Sequence, residues 1–260
     1  MTTPVALSIA GSDPSGGAGL QADLKTFHRM GVYGEAVVTL ITVQNTRGLR
    51  RVEVLAGDLV AEQIHAVITD IPPKAAKTGA LGSLAIVEAV AQAAAGFAFP
   101  LVVDPVMLSK NGMALMDAEA WDAFAKKLLP LAFLLTPNLD EGSQLTGIEV
   151  HDSESMTRAG KMLIEMGAAN VLVKGGHLEG DAVDVLVTRS GDRREFRASR
   201  STTPHTHGTG CTYSAAITAE LAKGFELTEA IRIAKAFVTE AIRTNPGLGT
   251  SGPLNHFAGK

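Results

Sequence analysis

Short apolar, β-branched segments alternate with amphipathic segments along almost the whole chain. Residues 5–9 predict a strand and residues 20–30 a helix, because apolar residues recur there at helical spacing. The pattern continues with strands predicted at 36–42, 75–79, 101–106, 133–136 and 171–174, and helices at 58–71, 83–95, 117–129 and 153–166, the last with Ser153 as its N-cap. Strands that take turns with helices need crossover connections, so this order predicts a largely parallel sheet covered by helices.

The alternation changes near the end of the chain. Residues 183–187 and 194–198 are two adjacent strand-like segments around Ser190-Gly191-Asp192, which predicts a hairpin and an antiparallel edge. Helices are predicted at 210–221 and 227–242. We therefore expect an α/β protein with three α/β/α layers, a mostly parallel central sheet and a small antiparallel edge, forming one domain over residues 1–260.

Charge and hydropathy exclude several classes of function. The formal net charge is −4 and no basic stripe is present, so nucleic acid is not an expected partner. The longest apolar stretch, residues 84–103, is interrupted by Glu88, Gln92 and Pro100, so no membrane span is expected. With a single cysteine and an N-terminus without a basic start or long apolar stretch, the sequence predicts a cytoplasmic enzyme.

A glycine-rich segment follows the first predicted strand. Residues 11–19 hold four glycines and lead into a helix, a pattern that lets backbone approach an anionic ligand. Residues 17–22 even fit the dinucleotide-binding pattern, but that pattern needs an acidic residue after the second strand, where Gln44 and Asn45 stand. No Gly-Lys-Ser/Thr follows either, which excludes a P-loop. A plain turn between strand and helix remains the alternative.

A second glycine-rich segment, residues 205–212, precedes a helix near the end of the chain. Gly208 and Gly210 leave the N–H groups of Thr209, Gly210 and Cys211 free to face one anion, which predicts a cradle for a phosphoryl group in its transition state. The helix field should also lower the pKa of Cys211, which makes this thiol a candidate base, nucleophile or charge acceptor. Three alternatives stay open: a buried small cysteine, a metal site with His205 and His207, and a Cys-His hydrolase.

Polar residues also end the neighbouring strands predicted in the middle of the chain. Asp104 ends one strand, and Asn138 and Glu141 follow the next, an arrangement suited to hydrated magnesium beside a substrate phosphate. Lys174 ends a further strand and can meet phosphate oxygens. Helix capping and a solvent-exposed strand end are the structural alternatives. Anion cradle, metal ligands and cation together favour phosphoryl transfer from a nucleoside triphosphate.

Several blocks in order give the chain a resemblance to a known family, at residues 8–27, 44–46, 77–79, 103–106, 136–138, 174–177, 206–212 and 252–257. The sequence resembles the ribokinase-like superfamily and, within it, the bacterial hydroxymethylpyrimidine/phosphomethylpyrimidine kinases of thiamine biosynthesis. Sugar kinases of the superfamily carry aspartate in a Gly-Thr-Gly-Asp motif, whereas this subgroup, like the present chain, has cysteine at that position, Cys211.

The resemblance implies two successive transfers from ATP with Mg²⁺, first to the hydroxymethyl group of 4-amino-5-hydroxymethyl-2-methylpyrimidine and then to the resulting monophosphate. It also implies a homodimer. By the same resemblance, residues around the pyrimidine would be Gly11, Ala18, Asp23, Gln44, Val106 and Met107. Asp104 and Glu141 would organise magnesium, Lys174, Asn138 and Thr209 would meet ATP, and Gly208, Thr209, Gly210 and Cys211 would act on the moving phosphoryl group.

The chain departs from the family pattern at three places. Ala80 stands where methionine is expected, Val43 where alanine is expected, and residues 249–252 replace a Gly-His-Gly-His-Gly segment. The first two are expected to reshape the ring pocket, so pyridoxal is the alternative substrate within the superfamily. A nicotinamide-dependent oxidoreductase and a catalytically silent pyrimidine-binding protein are the rivals from other classes.

Overall fold

The computed structural model describes residues 3–107, 112–113, 115–176 and 180–259. The strands are β1 (Val5–Ser12), β2 (Tyr33–Asn45), β3 (Gly48–Val54), β4 (Ala75–Thr78), β5 (Leu101–Val103), β6 (Leu134–Leu135), β7 (Asn170–Gly175), β8 (Ala182–Thr188) and β9 (Arg193–Ala198). The α-helices are α1 (Gly19–Arg29), α2 (Gly57–Asp70), α3 (Leu84–Ala94), α4 (Ala118–Ala123), α5 (Leu139–Thr146), α6 (Ser153–Glu165), α7 (Thr209–Ala222) and α8 (Leu227–Arg243).

The nine described strands form one sheet in the order β3-β2-β1-β4-β5-β6-β7-β8-β9. Pairing is parallel from β2 to β7, as the alternation of strands and helices predicts. The predicted antiparallel edge is confirmed at β7, β8 and β9. A second antiparallel edge, β2 with β3, was not predicted. All described strands join one sheet, which agrees with the expected single domain. The extent of that domain over residues 1–260 stays a prediction.

Helices cover both faces of the sheet because side chains alternate along each strand. On β1, Leu7 and Ile9 point into the core beneath α2, α3 and α6, whereas Ala6 points into the core beneath α1, α7 and α8. Helix α7 is buried from Thr212 to Ala222, which suits its many small residues, although it also carries Tyr213 and Glu220. The fold class predicted from the sequence, three α/β/α layers around a mostly parallel sheet, is confirmed.

Local details correct the predicted helices. Asp152 caps α6 by accepting from the Ser155 backbone, so Ser153 is the first helical residue and not the N-cap. The helix predicted over 117–129 is α-helical only as α4, continues as a π-helix over Phe124–Leu128 and ends in a 3₁₀ turn that contains a proline. Helix α5 was not predicted; it begins at the capping residue Asn138.

Candidate active site

A cavity of about 590 Å³ opens at the carboxyl ends of the parallel strands, where open α/β sheets bind ligands. One end is lined by residues of the first glycine-rich loop, β2 and the segment after β4. The other end is lined by residues after β9 and by α8. Of the predicted site residues, the wall holds Gly11, Ala18, Gln44, Asp104, Val106, Asn138, Glu141, Lys174, Gly208, Thr209, Gly210 and Cys211.

Two predicted substrate residues do not line the cavity. Asp23 is fully buried behind the wall, where its Oδ2 accepts from Ser8 Oγ at 2.6 Å and from Lys77 Nζ at 2.8 Å. Met107 is also buried and off the wall. The position predicted for Asp23 as a polar boundary of the pocket is therefore wrong, because an internal cation draws its carboxylate into the protein. Its partner Lys77 lies against the cavity wall, but the lysine side chain is 0% exposed as well.

The first glycine-rich loop is organised around the carboxylate of Asp13. Oδ1 accepts from the Ser15 N–H at 2.8 Å, and Oδ2 accepts from Ser15 Oγ at 2.9 Å and from the Ala18 N–H at 2.9 Å. The Gly17 N–H lies 3.3 Å from the same Oδ2. Burial alone would raise the pKa of Asp13, but these hydrogen bonds and His207 lower it below its ordinary value. Asp13 is therefore ionised and holds the loop in one shape.

The two glycine-rich loops touch each other through backbone. Gly208 has φ +80°, and a Cβ there would lie 1.8 Å from the carbonyl oxygen of Gly17. Gly19 has φ +54°, and a Cβ would lie 2.3 Å from the Gly11 carbonyl oxygen. Both positions require glycine for their conformation and for the close approach. The glycines thus bring the backbones of the two loops together, and the expected approach of this backbone to an anionic ligand stays a prediction.

The anion cradle has two free amides at the start of α7. Within the described residues, the N–H groups of Gly210 and Cys211 donate to no acceptor, as expected for a helix N-terminus. The Thr209 N–H instead donates to the Thr206 carbonyl at 3.3 Å. A Cβ on Gly210 would lie 3.3 Å from Lys174 Nζ, so the lysine ammonium lies next to these two amides. Amides, helix dipole and ammonium therefore favour an anion at this point.

Cys211 lies on the cavity wall between positive and negative groups. Burial raises the pKa of its thiol to about 11; Lys77 and the Gly19 N–H oppose this, whereas Asp23 and Asp104 add to it. The prediction that the helix field lowers this pKa is wrong, because loss of water outweighs the field. At neutral pH, Cys211 is therefore an uncharged thiol.

Asp104 and Lys174 form an ion pair at the open surface of the cavity. Lys174 Nζ donates to Asp104 Oδ1 at 2.8 Å, Thr136 Oγ1 donates to the same oxygen at 3.1 Å, and Ser214 Oγ donates to Oδ2 at 3.1 Å. Burial would raise the pKa of Asp104, but Lys174 and then Lys77 lower it. Asp104 is therefore a carboxylate, and Lys174, whose pKa Asp104 and Glu141 raise against burial, is an ammonium.

Glu141 combines helix capping with a place on the cavity wall. Its Oε2 accepts from the Asn138 N–H at 2.8 Å while Asn138 Oδ1 accepts from the Glu141 N–H at 2.8 Å, a complete capping box of α5. Burial raises the pKa of Glu141 to about 7, with Lys174 opposing and Asp104 adding to the shift. The capping alternative is thus realised for both residues.

Asp104 and Glu141 form a donor set that fits a hydrated Mg²⁺. Magnesium in phosphoryl-transfer sites keeps several waters and is bound by one or two carboxylates together with substrate phosphates. The described residues hold no group of three or more histidine, cysteine or acidic side chains that would make a full protein cage. Two carboxylates beside an anion cradle match a magnesium site that is completed by waters and substrate phosphates.

His205 and His207 have partners that argue against the alternative metal site with Cys211. His205 Nδ1 accepts from the Gly252 N–H at 3.0 Å, and His207 Nε2 lies 2.8 Å from Asp13 Oδ2. Gly252 belongs to a segment that we call the C-terminal strap, residues 249–253. The strap bonds the hairpin of β2 and β3 at Thr46 and bonds the His207 N–H through the Gly252 carbonyl at 3.2 Å. It therefore braces the loop of His207 against the β2–β3 hairpin.

The far end of the cavity contains a third buried ion pair. Lys235 Nζ on α8 donates to Asp184 Oδ2 on β8 at 2.6 Å, and the Gly175 N–H donates to Asp184 Oδ1 at 3.1 Å. This end lies beyond the anion cradle from Gln44 and leaves room for a second ligand. Of the blocks that carry the family resemblance, only His177 lies outside the described residues.

Sequence reasoning missed four polar residues of the site: Asp13 as a loop organiser, Lys77 on β4, and the pair of Asp184 and Lys235. Asp13 carried a readable signal, since Asp-Pro-Ser is a typical start of an Asx turn. Lys77 was also readable as a lysine inside an otherwise small and apolar strand. The long-range pair carried no local signal. Of the two departures expected to reshape the pocket, Ala80 lines the cavity, whereas Val43 is about half exposed, at 51%, and does not.

Comparison with models of protein families shows which family has this combination of residues. A model of the family described as phosphomethylpyrimidine kinase matches residues 13–255, which include most of the first glycine-rich loop, all of the second, both carboxylates and Lys174. The chain belongs to the phosphomethylpyrimidine kinase family. A relative from Streptomyces coelicolor, named hydroxymethylpyrimidine/phosphomethylpyrimidine kinase, is 46% identical over 257 residues, 98% of this chain and 95% of its own length. The family resemblance derived from the motifs is confirmed.

Solved structures of relatives share the fold. A phosphomethylpyrimidine kinase from Clostridium difficile is 45% identical, with a TM-score of 0.81 over 92% of this chain and 99% of its own. A pyridoxal kinase from Bacillus subtilis, solved as an ADP complex, is 39% identical, with a TM-score of 0.90 over 99% of this chain and 98% of its own. Both substrate types thus occur in proteins of this architecture. Among the described residues, no helix is sufficiently long and apolar to traverse a membrane.

Proposed function

We propose that this protein is an ATP-dependent kinase that phosphorylates 4-amino-5-hydroxymethyl-2-methylpyrimidine and then its monophosphate, a reaction pair of thiamine biosynthesis. The observation that carries the proposal is one cavity in which an amide side chain, Gln44, and an anion cradle at Gly210 and Cys211 lie on the same wall. Relatives named for both steps share 45–46% identity with the chain. Among the site residues that the structure describes, no feature favours hydride transfer or a silent binding protein.

The pyrimidine binds at the Gln44 end. Gln44 offers a donor and an acceptor for the edge of the ring, while Val106 and Ala80 provide apolar surface for its faces. Gly11 keeps its backbone against the pocket, since a Cβ there would lie 2.5 Å from Leu40 Cδ1. The ring therefore enters a slot whose width is set by glycine and alanine, with its hydroxymethyl group toward Cys211.

The triphosphate of ATP binds between the cradle and α8. The Gly210 and Cys211 amides and the Lys174 ammonium hold the charge that develops on the transferred group. Asp104 and Glu141 would hold Mg²⁺, which when bound neutralises phosphate charge and orients the terminal phosphate. The nucleoside end lies against the end of β9 and α8, whose residues line the second part of the cavity.

Cys211 acts by placing the substrate hydroxyl and not by removing its proton beforehand. An uncharged thiol with a pKa of about 11 is a poor base at neutral pH, and a bound anion disfavours its ionisation further. Phosphoryl transfer has a loose transition state in which catalysis is mostly positioning and charge stabilisation. The hydroxyl proton can therefore leave late, to the transferred phosphoryl group, while the thiol hydrogen-bonds the attacking oxygen.

The decisive experiment measures ADP formation by the purified protein with ATP, Mg²⁺ and the hydroxymethylpyrimidine. We expect turnover only when all three are present, and a second equivalent of ADP from the monophosphate. Omission of each component is the control. Turnover with pyridoxal but none with the pyrimidine would reject the proposal and favour the pyridoxal kinase activity that the Bacillus subtilis relative is named for.

The homodimer and the cytoplasmic location belong to the same proposal. Ile41 and Val43 lie on one face of β2 and are 49% and 51% exposed, an apolar surface suited to a second copy of the chain. A single cysteine suits a reducing compartment. Sedimentation of wild type and Ile41→Lys tests the dimer: we expect the variant to be monomeric, and a monomeric wild type would contradict the proposal.

A further inference from the structure

The side chain of Gln44 makes one polar contact within the described residues. Gln44 Nε2 lies 3.1 Å from His207 Nε2, and that histidine nitrogen lies 2.8 Å from Asp13 Oδ2. His207 and Asp13 are both nearly buried, with side chains 11% and 4% exposed. One imidazole nitrogen therefore contacts both a carboxylate of the first glycine-rich loop and the side chain that faces the substrate ring.

The proton on this imidazole is assigned by its neighbours. The carboxylate of Asp13 already accepts hydrogen bonds from Ser15 and from the Ala18 N–H, and an ionised carboxylate can only accept. An imidazole nitrogen 2.8 Å from such an oxygen must donate. His207 Nε2 therefore carries a proton and has no lone pair to offer.

The protonated Nε2 in turn decides which atom of Gln44 faces it. The Gln44 atom 3.1 Å from His207 is placed as the amide nitrogen, but this nitrogen is a donor and two donors do not bond each other. We therefore assign that position to the carbonyl oxygen, which shares the single Nε2 hydrogen of His207 with Asp13 Oδ2. The amide nitrogen then points away from His207. A carbonyl oxygen has two lone pairs, so the one that His207 does not use stays available to a ligand.

We propose that His207, held by Asp13, is a positioning residue that fixes one orientation of the Gln44 carboxamide and so selects the hydrogen-bonding pattern of the substrate ring. This inference rests on the proposed function and adds which hydrogen-bonding pattern of the substrate ring the site selects. A ring that places an exocyclic amino donor beside a ring-nitrogen acceptor satisfies this orientation. A ring with an oxo group beside a ring N–H has the pattern reversed and leaves buried groups unpaired, which is costly.

The test compares kcat/KM for the 4-amino pyrimidine and its 4-oxo analogue. In wild type we expect a preference of about 100-fold for the amino compound. In His207→Phe, which keeps the ring but removes the donor, the carboxamide can rotate, so this preference should fall at least about tenfold. His205→Phe is the matched control, because His205 lies in the same loop and bonds Gly252 instead of Gln44; its ratio should equal that of wild type. A ratio unchanged in His207→Phe overturns the proposal.

A second measurement needs neither a variant nor turnover. With ¹⁵N-labelled histidine in the wild-type protein, correlation of ring nitrogens with ring protons reports which nitrogen of His207 is protonated. We expect the Nε2–H form, and an Nδ1–H form overturns the assignment. Wild type without activity toward the pyrimidine would reject the proposed function, whereas the tautomer would still decide whether His207 orients Gln44.

Discussion

Two lysine–aspartate pairs lie under the same cavity, and they differ in their access to it. Lys77 and Asp23 have side chains that are 0% exposed, whereas Lys174 is 13% and Asp104 2% exposed. Both pairs have a contact of 2.8 Å. The sealed pair can only balance its own charge, because no ligand can reach Asp23. The open pair can exchange partners, giving Lys174 to a phosphate and Asp104 to a cation. Access, and not distance, separates a structural ion pair from a functional one.

Removal of the sealed cation gives the largest expected effect. Lys77→Met leaves the Asp23 carboxylate buried with Ser8 as its remaining partner, so the free energy of unfolding should fall by about 3–5 kcal/mol. Denaturant unfolding measures it. Lys74→Met, on an exposed lysine three positions earlier, is the control and should change little. A loss below about 1 kcal/mol for Lys77→Met would contradict the structural role.

The open pair should respond mainly in catalysis. Lys174→Met removes the ammonium next to the Gly210 amide, so kcat should fall by about 10²–10³-fold. Steady-state kinetics and unfolding are measured together, with exposed Lys161→Met as the control. If stability falls as far as in Lys77→Met while kcat is unchanged, the distinction between the two pairs is wrong.

A buried carboxylate without a cation sharpens the comparison. Glu35 on β2 is 8% exposed, its Oε2 has no hydrogen bond, and burial and then Asp70 raise its pKa to about 7. Since this pKa is 4.5 in an unpaired exposed group, stability should be lost as pH rises from about 4.5 through 7.

Glu35→Gln should therefore be more stable than wild type by about 2 kcal/mol at pH 8 and differ little at pH 4. Unfolding at both pH values tests this, with exposed Glu62→Gln as the control. An unchanged pH dependence in Glu35→Gln would show that this carboxyl has a partner when ionised.

Cys211 lies close to both cations and should give the smallest effect. Cys211→Ala should lower kcat about tenfold and leave the KM for ATP unchanged, since the thiol places the hydroxyl in the transition state. With a thiol pKa of about 11, a thiolate base would make kcat rise about tenfold per pH unit from 7 to 9. We expect no such rise in wild type. A tenfold rise of kcat per pH unit would instead show that the Cys211 thiolate acts as the base.

Local patterns were enough to predict the layered fold and the order of most elements. Apolar runs and helical stripes determine the alternation, and the alternation determines parallel pairing. β3 was missed because Gly48–Val54 has its arginines and glutamate mostly in solvent, so no apolar face marks it. α5 was missed because it is short; helix capping was weighed as an alternative for its first residues, but no helix was predicted after them.

The site was predictable where its chemistry is local. The glycines of both loops and the residues at strand ends are visible in the sequence, and most of them lie on the cavity wall. The position of Asp23 and the charge state of Cys211 were not predictable, because each depends on groups distant in sequence. Lys77, 54 positions away, turns Asp23 inward, and the surroundings that α1 and β5 supply keep the thiol neutral.

The C-terminal strap has a practical consequence for handling the protein. Residues 249–253 bond Thr46 and the segment that carries His207, so they hold the loop of His207 against the β2–β3 hairpin although none of them lines the cavity. Truncation after residue 248 would remove these bonds together with buried Leu254 and Ala258, so it would loosen both the loop of His207 and the core beneath α1, α7 and α8. Affinity tags are better attached before β1, at the opposite rim of the sheet, and crystallisation variants should leave the tail untouched.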